Sequence, residues 1–413
     1  MSHTYSRPRR GQAPRGRPRT SPPEPRAPGA DIKAGLGSLV HFLDVPEAKA
    51  ITDPGDVAIK NVRPVVSYNW KDAGSPTIIV PGSPLIWSDR RFPYTVQPDS
   101  GIAYIDQNAA HCLPSINPLE PLFLALNTME PEFDMAAVDL VTDRNNLRKL
   151  LRWVTDDNDR DFRIDAQLLG EETVILTRWE EHNTEDSTGF RGFGHSFERE
   201  ATKVPPGCRG TTGHHRIIQY TLGDLRVLCR SVVDAYDPAL AGDAAPDGVD
   251  DLLEGLSGIT LASSAPTPKT PESTSEINIV RAGKLVPQAS IMELKSRSTR
   301  AVIDWKGVWP QVFFSATPTT VLGRHERGKF VSVERKSLEE MDSAYAEEAE
   351  AGFGKLIQAL REIRAVVLSR GKGPGVAFVF MKDGRGSIEV YEKESEHPGV
   401  SPELLARYEE LDD

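Results

Sequence analysis

The chain has 413 residues, of which 38% are hydrophobic, and a formal net charge of −11. That length fits one large domain or two ordinary ones, and the acidity excludes a protein covered all over by nucleic-acid-binding surface. No run reaches the ~18 apolar residues of a membrane helix, and the N-terminus lacks the apolar core of a signal peptide, so we expect no membrane association. The cysteines, Cys112, Cys208 and Cys229, have no paired spacing. They indicate a reduced intracellular protein without a zinc site.

Two segments have low sequence complexity. Residues 1–30 carry seven arginines among prolines and glycines, lack periodicity and are predicted to be a disordered tail. The tail can be interpreted as an arm that touches RNA or directs the chain to the nucleus, or as a solubilising tail, which composition alone favours. A second stretch, about 238–275, is predicted to be a partly disordered insertion in a single domain of residues 31–400. Residues 401–413 are predicted to form a short C-terminal helix.

Strands and helices alternate between these segments. Residues 173–181, 215–222 and 225–236 are β-branched runs typical of strands, and the last two are predicted to form a tight hairpin around Gly223-Asp224. His214-His215, before the second of them, is predicted to be an exposed loop pair. Further elements are a helix at 302–315 kinked by Pro310, strand pairs in 319–334 and 375–393, and a helix at 343–370. The pattern predicts an α/β (α+β) fold of mixed β-sheets flanked by helices.

Residues 291–298, IMELKSRS, place two charges on an otherwise apolar strand. Because side chains alternate along a strand, Glu293 and Lys295 share one face and Leu294 takes the other. Burying such charges is costly unless they pair or meet a metal. A surface ion pair is one interpretation, and half of a nuclease metal site is the other. The spacing alone is weak evidence, since Glu334-Arg335-Lys336 repeats it in a more polar setting.

Three further polar residues fit a nuclease site in order and context. Asp234 ends an apolar strand, Glu198 lies on a predicted helix, and Gln311 lies on the helix after the ELK strand. Carboxylates are the ligands that Mg²⁺ prefers, and a bound metal stabilises charge on phosphate. Taken singly, Asp234 can be a turn former and Glu198 a solvated helix residue.

At this point several ordered motifs resemble the decapping exoribonuclease (DXO) family. The pieces cover roughly residues 60–380; each is short and degenerate, and their order is the specific part. VDLVTDRNNLRKLL (138–151) is similar to the family's first motif, with its arginine at Arg144, and FRIDAQLLGEETVILTRWE to the strands that follow. The G-x-x-F-E motif is matched by GFGHSFE, which contains Glu198, and the hairpin that ends in E-V-D resembles YTLGDLRVLCRSVVDAY. The E-L-K motif is matched by IMELKSRS. The helix and strand that follow it in the family resemble WPQVFFSATPTTVLGRHERGKF, which contains Gln311.

The resemblance implies a PD-(D/E)XK nuclease-like core that binds Mg²⁺ or Mn²⁺ and hydrolyses the 5′ end of RNA. The reactions implied are removal of pyrophosphate or of incomplete or non-standard caps, with 5′–3′ exonuclease activity in some members. By resemblance, Arg144 contacts the 5′ phosphates, and Lys295 and Gln311 contact the water or the scissile phosphate. The implied metal ligands are Glu198, Asp234, Glu293 and the Leu294 carbonyl. A 5′–3′ exoribonuclease partner and a nuclear location are also implied.

One position departs from the family pattern. Where the family has E-V-D, this chain has Val232-Val233-Asp234. Valine cannot coordinate a metal. Asp237 does not replace the missing glutamate, because it lies beyond the strand and at a spacing that predicts the opposite face. Losing one carboxylate weakens one metal position in a two-metal scheme, so we expect reduced, Mn²⁺-preferring or absent catalysis.

Two other functions fit parts of the sequence. The first is a non-catalytic binder of RNA 5′ ends or an exoribonuclease adaptor; Val232 favours it, and the other retained site residues oppose it. The second is an isoprenyl diphosphate synthase, suggested by the acid clusters at 155–161 and 249–255. That enzyme needs paired D-D-x-x-D motifs on long helices, and here Arg160 stands where the last acid of the first motif belongs. The clusters are therefore interpreted as solvated loop charge.

Overall fold

The computed structural model describes residues 31–47, 58–113, 116–186, 192–242, 276–394, 400–401, 404 and 406–408. The predicted tail (1–30) and most of the predicted insertion (238–275) lie outside these ranges. Of the predicted C-terminal helix, residues 404 and 406–408 are described and are helical. The domain boundaries therefore stay predictions.

The described residues form strands joined by helices and turns. The helices are α1 (Gln107–His111), α2 (Glu120–Met129), α3 (Arg144–Val154), α4 (Gly194–Ala201), α5 (Trp305–Phe314) and α6 (Leu338–Arg370). The strands are β1 (Leu36–Leu43), β2 (Ile59–Lys71), β3 (Thr77–Gly82), β4 (Leu85–Trp87), β5 (Tyr94–Thr95), β6 (Ile102–Tyr104), β7 (Leu140–Asp143), β8 (Phe162–Leu169), β9 (Thr173–Trp179), β10 (Thr184–Asp186), β11 (Thr202–Lys203), β12 (Thr211–Leu222), β13 (Leu225–Val233), β14 (Ala235–Tyr236), β15 (Asn278–Gly283), β16 (Ile291–Ser298), β17 (Thr319–Glu326), β18 (Lys329–Ser337), β19 (Val376–Phe380) and β20 (Ile388–Lys393).

Two mixed sheets form the framework. Within the described part of the chain, the larger sheet has the order β1-β20-β19-β8-β9-β7-β13-β12-β2-β3-β15, and the smaller one β11-β4-β14-β16-β17-β18-β5. Most neighbours are antiparallel. The parallel pairs are β7 with β9 and with β13, β16 with β17, β4 with β14, and β3 with β15. Strands β6 and β10 form a separate antiparallel pair. The predicted α/β class is thus confirmed.

Helices cover both faces of the larger sheet. On one face, α3, α5 and α6 enclose a core in which the Phe313 and Phe353 rings lie 4.8 Å apart. On the other face, α2 packs against β2. Helix α3 is amphipathic: Leu147, Leu150 and Leu151 are buried, at the spacing of one helical face. Within the described ranges, no helix is long and apolar enough to cross a membrane.

The local predictions were mostly confirmed. Strands β12 and β13 form the expected hairpin, with Gly223 in its turn at φ 62°, a conformation that glycine adopts without steric cost. Helix α5 forms and runs through Pro310. Helix α6 begins five residues before the predicted start, because Ser337 and Glu340 form a capping box that satisfies two backbone N–H groups.

The prediction for His214-His215 was wrong. Both residues lie inside β12, between β2 and β13, and are 3% and 1% exposed. Nδ1 of His214 lies 2.7 Å from Oδ1 of Asn69, and the ring of His215 stacks on Tyr68 at 5.0 Å. The central position of β12 overrides the polarity of the pair, and burial keeps the pKa of each imidazole well below its usual value.

The predicted strand at 225–236 is divided in two at Asp234. Strand β13 ends at Val233 in the larger sheet, and β14 begins at Ala235 in the smaller one. In the smaller sheet Ala235 pairs with Met292 of β16. Asp234 is therefore the residue at which the chain passes from one sheet to the other, next to the ELK strand.

Candidate active site

Glu293 is the centre of the candidate site. It is 3% exposed on β16, and its Oε1 accepts hydrogen bonds from Lys295 Nζ and Gln311 Nε2, both at 2.5 Å. Its Oε2 accepts one from Arg144 Nη1 at 3.4 Å. Three residues that the sequence selected separately thus converge on one buried carboxylate.

The charges of Glu293 and Lys295 stabilise each other. Burial alone would raise the pKa of Glu293, but Lys295 and Arg144 outweigh burial and hold it below its usual value. Burial would likewise lower the pKa of Lys295, but Glu293 and then Asp234 raise it. Both groups are therefore ionised at neutral pH, in agreement with the shared strand face predicted from their spacing.

Asp234 has the opposite electrostatic character. Its Oδ2 accepts the backbone N–H of Leu294 at 2.7 Å, which ties the sheet crossing to β16. Burial, followed by the nearby carboxylates of Glu293 and Glu198, raises the pKa of Asp234 well above its usual value. Neighbouring carboxylates whose pKa values are driven apart are typical of catalytic and metal-binding sites.

Glu198 reaches the site from α4, as predicted. The N-terminus of this helix is held by Asp99, whose Oδ1 accepts the Ser196 N–H at 2.8 Å. The Glu198 side chain is 32% exposed, and its Oε2 lies 3.8 Å from Nδ1 of His195, whose pKa it raises. Glu198 therefore forms the solvent-facing side of the acidic cluster.

Arg144 occupies the first turn of α3. Its Nη1 also donates to the Gln311 carbonyl at 3.4 Å and to Ser315 Oγ at 3.2 Å, so that it links α3 to α5. Directly before it, Asp143 accepts two hydrogen bonds from Arg230, at 2.7 and 2.9 Å, in the interior of the larger sheet. This bidentate pair fixes the start of α3, and with it the position of Arg144.

The carboxylates of the site are the type of ligand that binds a divalent cation. The Asp234 carboxyl lies within electrostatic range of those of Glu198 and Glu293, and a cation would relieve this repulsion. Among the described residues, however, no group of three or more His, Cys, Asp or Glu side chains is arranged as a ready-made metal site. Glu293 accepts three of the about four hydrogen bonds that a carboxylate can accept, which leaves one lone-pair direction for an ion.

Val232 lies on the open side of β13. Its side chain is 41% exposed, whereas Val233 is 4% exposed and points into the protein. Strand alternation predicts a shared face for Val232 and Asp234, but β13 ends at Val233, so Asp234 lies beyond the alternating run. An exposed apolar side chain therefore stands two residues before Asp234, at the position where the motif resemblance implies a glutamate.

The sequence did not identify every residue of the site. Ser315 contacts Arg144, and His195 contacts Glu198; both lie in the quoted motif segments, at positions that the motifs leave unspecified. Arg148 lies one helical turn after Arg144 and feels the charge of Glu293. The four-residue spacing of arginines in RNNLRKLLRW was the available signal for Arg148.

Comparison with solved structures identifies the same architecture in yeast Rai1 proteins. Candida albicans Rai1 in complex with pU5-Mn²⁺ has 13% identity and a TM-score of 0.54, over 90% of this chain and 100% of that one. Scheffersomyces stipitis Rai1 in complex with (3′-NADP)⁺ and calcium ion has 14% identity and a TM-score of 0.50, over 91% and 98%. S. pombe Rai1 in complex with 3′-FADP has 13% identity and a TM-score of 0.50, over 86% and 99%. At these identities the likeness establishes the fold.

Sequence comparison gives the family. No curated protein matches the chain. Residues 53–408 match a family described as "Domain of unknown function (DUF8563)". That match covers most of the chain, including every strand of the two sheets except β1 and every residue of the candidate site. The chain is therefore a member of the DUF8563 family with the fold of the Rai1 proteins.

Proposed function

We propose that this protein hydrolyses phosphodiester or pyrophosphate bonds at the 5′ end of RNA with the help of Mg²⁺ or Mn²⁺. The observation that carries the proposal is the convergence on Glu293 of side chains from separate elements of the chain. Arg144 of α3, Lys295 of β16 and Gln311 of α5 donate hydrogen bonds to Glu293, and Asp234, between β13 and β14, lies within electrostatic range of Glu293 and of Glu198 of α4.

The structural relatives support the ligand class. The Candida albicans Rai1 structure contains pU5 with Mn²⁺, and the S. stipitis one contains (3′-NADP)⁺ with a calcium ion. A shared fold does not establish a shared activity, so this support is an analogy. The motif resemblance adds the expectation of decapping, pyrophosphate removal or 5′–3′ exonuclease activity.

The residues of this chain have distinct roles in the proposal. Arg144, held by Glu293 and Ser315, presents its guanidinium to the 5′ phosphates. Lys295 and Gln311 hold the Glu293 carboxylate in place, and they contact the attacking water or the scissile phosphate when substrate binds. Asp234, whose pKa is raised well above its usual value by burial and the nearby carboxylates, would hold a cation in its ionised form.

A divalent cation would be held by Glu198, Asp234 and Glu293, with the Leu294 carbonyl as the fourth proposed ligand. When bound, it would neutralise charge on the phosphate and make water a stronger nucleophile. Because Val232 provides no ligand, we expect one cation to be bound weakly, with Mn²⁺ preferred over Mg²⁺.

Val232 also favours a second candidate function. Its exposed apolar side chain beside Asp234, and the absence of a ready-made three-ligand cluster among the described residues, are expected of a weakened or inactive member of the family. Such a protein would bind RNA 5′ ends or act as an adaptor for a 5′–3′ exoribonuclease. A nuclear location, with the arginine-rich tail as its signal, is part of either proposal.

The proposed activity can be tested with a panel of RNAs. Triphosphorylated, NAD-capped and monophosphorylated RNAs of one sequence are incubated with the protein in Mg²⁺, in Mn²⁺ or in EDTA, and the released products are separated. Glu293→Gln is compared with Glu334→Gln, a matched control, because both glutamates lie two residues before a lysine and only Glu293 is buried.

We expect product in Mn²⁺, less in Mg²⁺ and none in EDTA. Glu293→Gln should remove the activity, and Glu334→Gln should leave it unchanged. If the native protein releases nothing but still binds 5′-phosphorylated RNA, the adaptor function replaces the enzymatic one. If it neither cleaves nor binds RNA, both proposals are wrong.

A further inference from the structure

A cavity adjoins the candidate site between α3, α5 and α6. Its volume is about 530 Å³. Arg148 and Arg152 line it from α3, Trp309 and Pro310 from α5, and Tyr345 from α6. Pro310 directly precedes Gln311, whose side chain contacts Glu293, and Arg148 feels the charge of Glu293, so one end of the cavity lies near the candidate site. Its size is within the range of about 300–1,000 Å³ that is typical of small-molecule sites.

Three arginines of α3 lead from the site into this cavity. Arg144, Arg148 and Arg152 are each four residues apart and lie on one helix face, with about 6 Å of rise between neighbours. Arg144 contacts Glu293, and the other two line the cavity. Like charges at this spacing destabilise a helix, so the arrangement has a cost in the free protein.

Arg148 lacks a partner for its charge. Among the described residues it forms neither a hydrogen bond nor an ion pair, although it is half-buried. Burial, together with Arg144 and Arg152, lowers the pKa of Arg148 to about 10. Buried cations are normally paired, because leaving water without a counter-charge is costly. An anion in the cavity would provide that counter-charge.

The opposite wall offers a surface for an aromatic ring. Tyr345 is half-buried, and its ring lies 6.3 Å from that of Trp309, which is fixed by a 2.6 Å hydrogen bond from Nε1 to Asp342. Tyrosine beside arginine is a common platform for nucleobases.

The carboxylates that line the cavity do not pair with the arginines of α3, so the α3 side of the cavity stays positively charged. Asp304 caps the first turn of α5 by accepting the Gly307 N–H. Glu348 pairs with Lys306 at 2.5 Å on the exposed rim. Asp157 lies at the exposed end beyond α3. The arginines are therefore left to bind a ligand rather than these carboxylates.

We infer that this cavity binds the second nucleotide of the RNA, with its phosphate on Arg148 and Arg152 and its base against Tyr345. The inference rests on the proposed function, because it assumes that Arg144 holds the 5′-terminal phosphate. It implies that the protein contacts more than one nucleotide at the 5′ end of the RNA.

The test measures binding, which does not depend on cleavage. Fluorescence anisotropy is recorded for a 5′-phosphorylated penta-uridylate over a series of salt concentrations, with Ca²⁺ as the divalent cation, and uridine 5′-monophosphate is tested as a competitor. The variants are the double substitution Arg148→Gln/Arg152→Gln, Tyr345→Ala, and the control Arg385→Gln, which changes an exposed arginine far along the chain. Thermal unfolding establishes that each variant is folded.

The double variant should bind the penta-uridylate at least tenfold more weakly, and its log–log salt slope should fall by about 0.7, the change expected when one phosphate contact is lost. Tyr345→Ala should bind about tenfold more weakly with an unchanged slope, because stacking releases no counterions. Uridine 5′-monophosphate should compete as well with the double variant and with Tyr345→Ala as with the native protein. The control Arg385→Gln should bind the penta-uridylate with native affinity.

Native affinity and slope in the folded double variant would overturn the inference, and so would a native protein that does not bind the penta-uridylate. If the variants behave as expected but no RNA is cleaved, the inference stands and the proposed hydrolysis is wrong. If RNA is cleaved normally and the double variant binds like the native protein, the inference alone is wrong.

Discussion

Lys295 Nζ lies 2.5 Å from Oε1 of Glu293, and both side chains occupy the same face of β16. The glutamate is almost fully buried, whereas 28% of the lysine side chain is exposed. The pair therefore spans the boundary between the interior and the open side of the site. The buried carboxylate is positioned by the interior, and the ammonium can reach a phosphate that arrives from solvent.

Replacing Lys295 by methionine should affect both activity and stability. Cleavage of RNA 5′ ends should fall at least 100-fold, the order expected for loss of one positioned catalytic group. The free energy of unfolding should fall by about 2 kcal/mol, because Glu293 loses its nearest cation but keeps Arg144 and Gln311. Urea unfolding and single-turnover kinetics measure the two effects.

Lys336→Met is the control for this variant, because Lys336 has the same spacing from Glu334 on the more exposed β18. It should alter neither quantity. Equal loss of activity in the two variants would contradict the assigned role of Lys295.

Introducing glutamate at Val232 should strengthen metal binding. The new carboxylate would lie at an exposed position two residues before Asp234, and in this proposal it would add a fourth acidic ligand. We expect the Kd for Mn²⁺, measured by titration calorimetry, to fall at least tenfold, and cleavage in Mg²⁺ to rise. Val232→Gln, which has the same size without the charge, should behave like the native protein. Tighter binding in both variants would indicate a steric rather than an electrostatic effect.

Asp234→Asn should stabilise the protein in the absence of metal. Burial and two carboxylates disfavour the ionised aspartate, whereas asparagine can still accept the Leu294 N–H. In EDTA at pH 7 we expect a Tm higher by about 1 °C, equivalent to about 1 kcal/mol for a protein of this size.

Mn²⁺ should raise the Tm of the native protein, since a ligand at 100 times its Kd stabilises by about 2.7 kcal/mol, and it should not raise that of Asp234→Asn. A variant that is less stable in EDTA, or that responds normally to Mn²⁺, would show that Asp234 is a structural residue.

The buried pair His214-His215 should make stability depend on pH. The pKa of each imidazole in the folded state is far below its value in the unfolded chain, which is about 6.5. The unfolded state therefore binds more protons below pH 6.5, so stability is constant above that pH and falls below it by up to about 1.4 kcal/mol per pH unit for each histidine.

His215→Phe keeps the stacking on Tyr68 and removes one titrating group. Urea unfolding between pH 5 and 8 should show a slope reduced by about one proton. An unchanged slope would mean that His215 is not buried in its neutral form.

Local sequence patterns predicted the elements that carry their own signals. The apolar runs of β12 and β13, the Gly223 turn and the acid that ends the strand were all evident in the sequence. The alternation in IMELKSRS correctly placed Glu293 and Lys295 on one face. The resemblance brought Glu198, Asp234 and Gln311 to the same site in advance of the structure.

Long-range packing decided what the sequence could not. His214 and His215 are polar in sequence, and only the pairing of β12 with β2 and β13 buries them. The break at Asp234 depends on the smaller sheet, in which β14 pairs with β16, a strand that begins more than fifty residues later in the chain. The cavity beside Arg148 exists because α5 and α6, far along the chain, pack against α3.

The central claim is that the Glu293 site cleaves the 5′ end of RNA. The most direct test is the single-turnover release of pyrophosphate from 5′-triphosphorylated RNA in Mn²⁺, by the native protein, Glu293→Ala and Val232→Glu. We predict release by the native protein, none by Glu293→Ala and faster release by Val232→Glu. Release by Glu293→Ala at the native rate, or silence from the native protein and Val232→Glu alike, would contradict the claim.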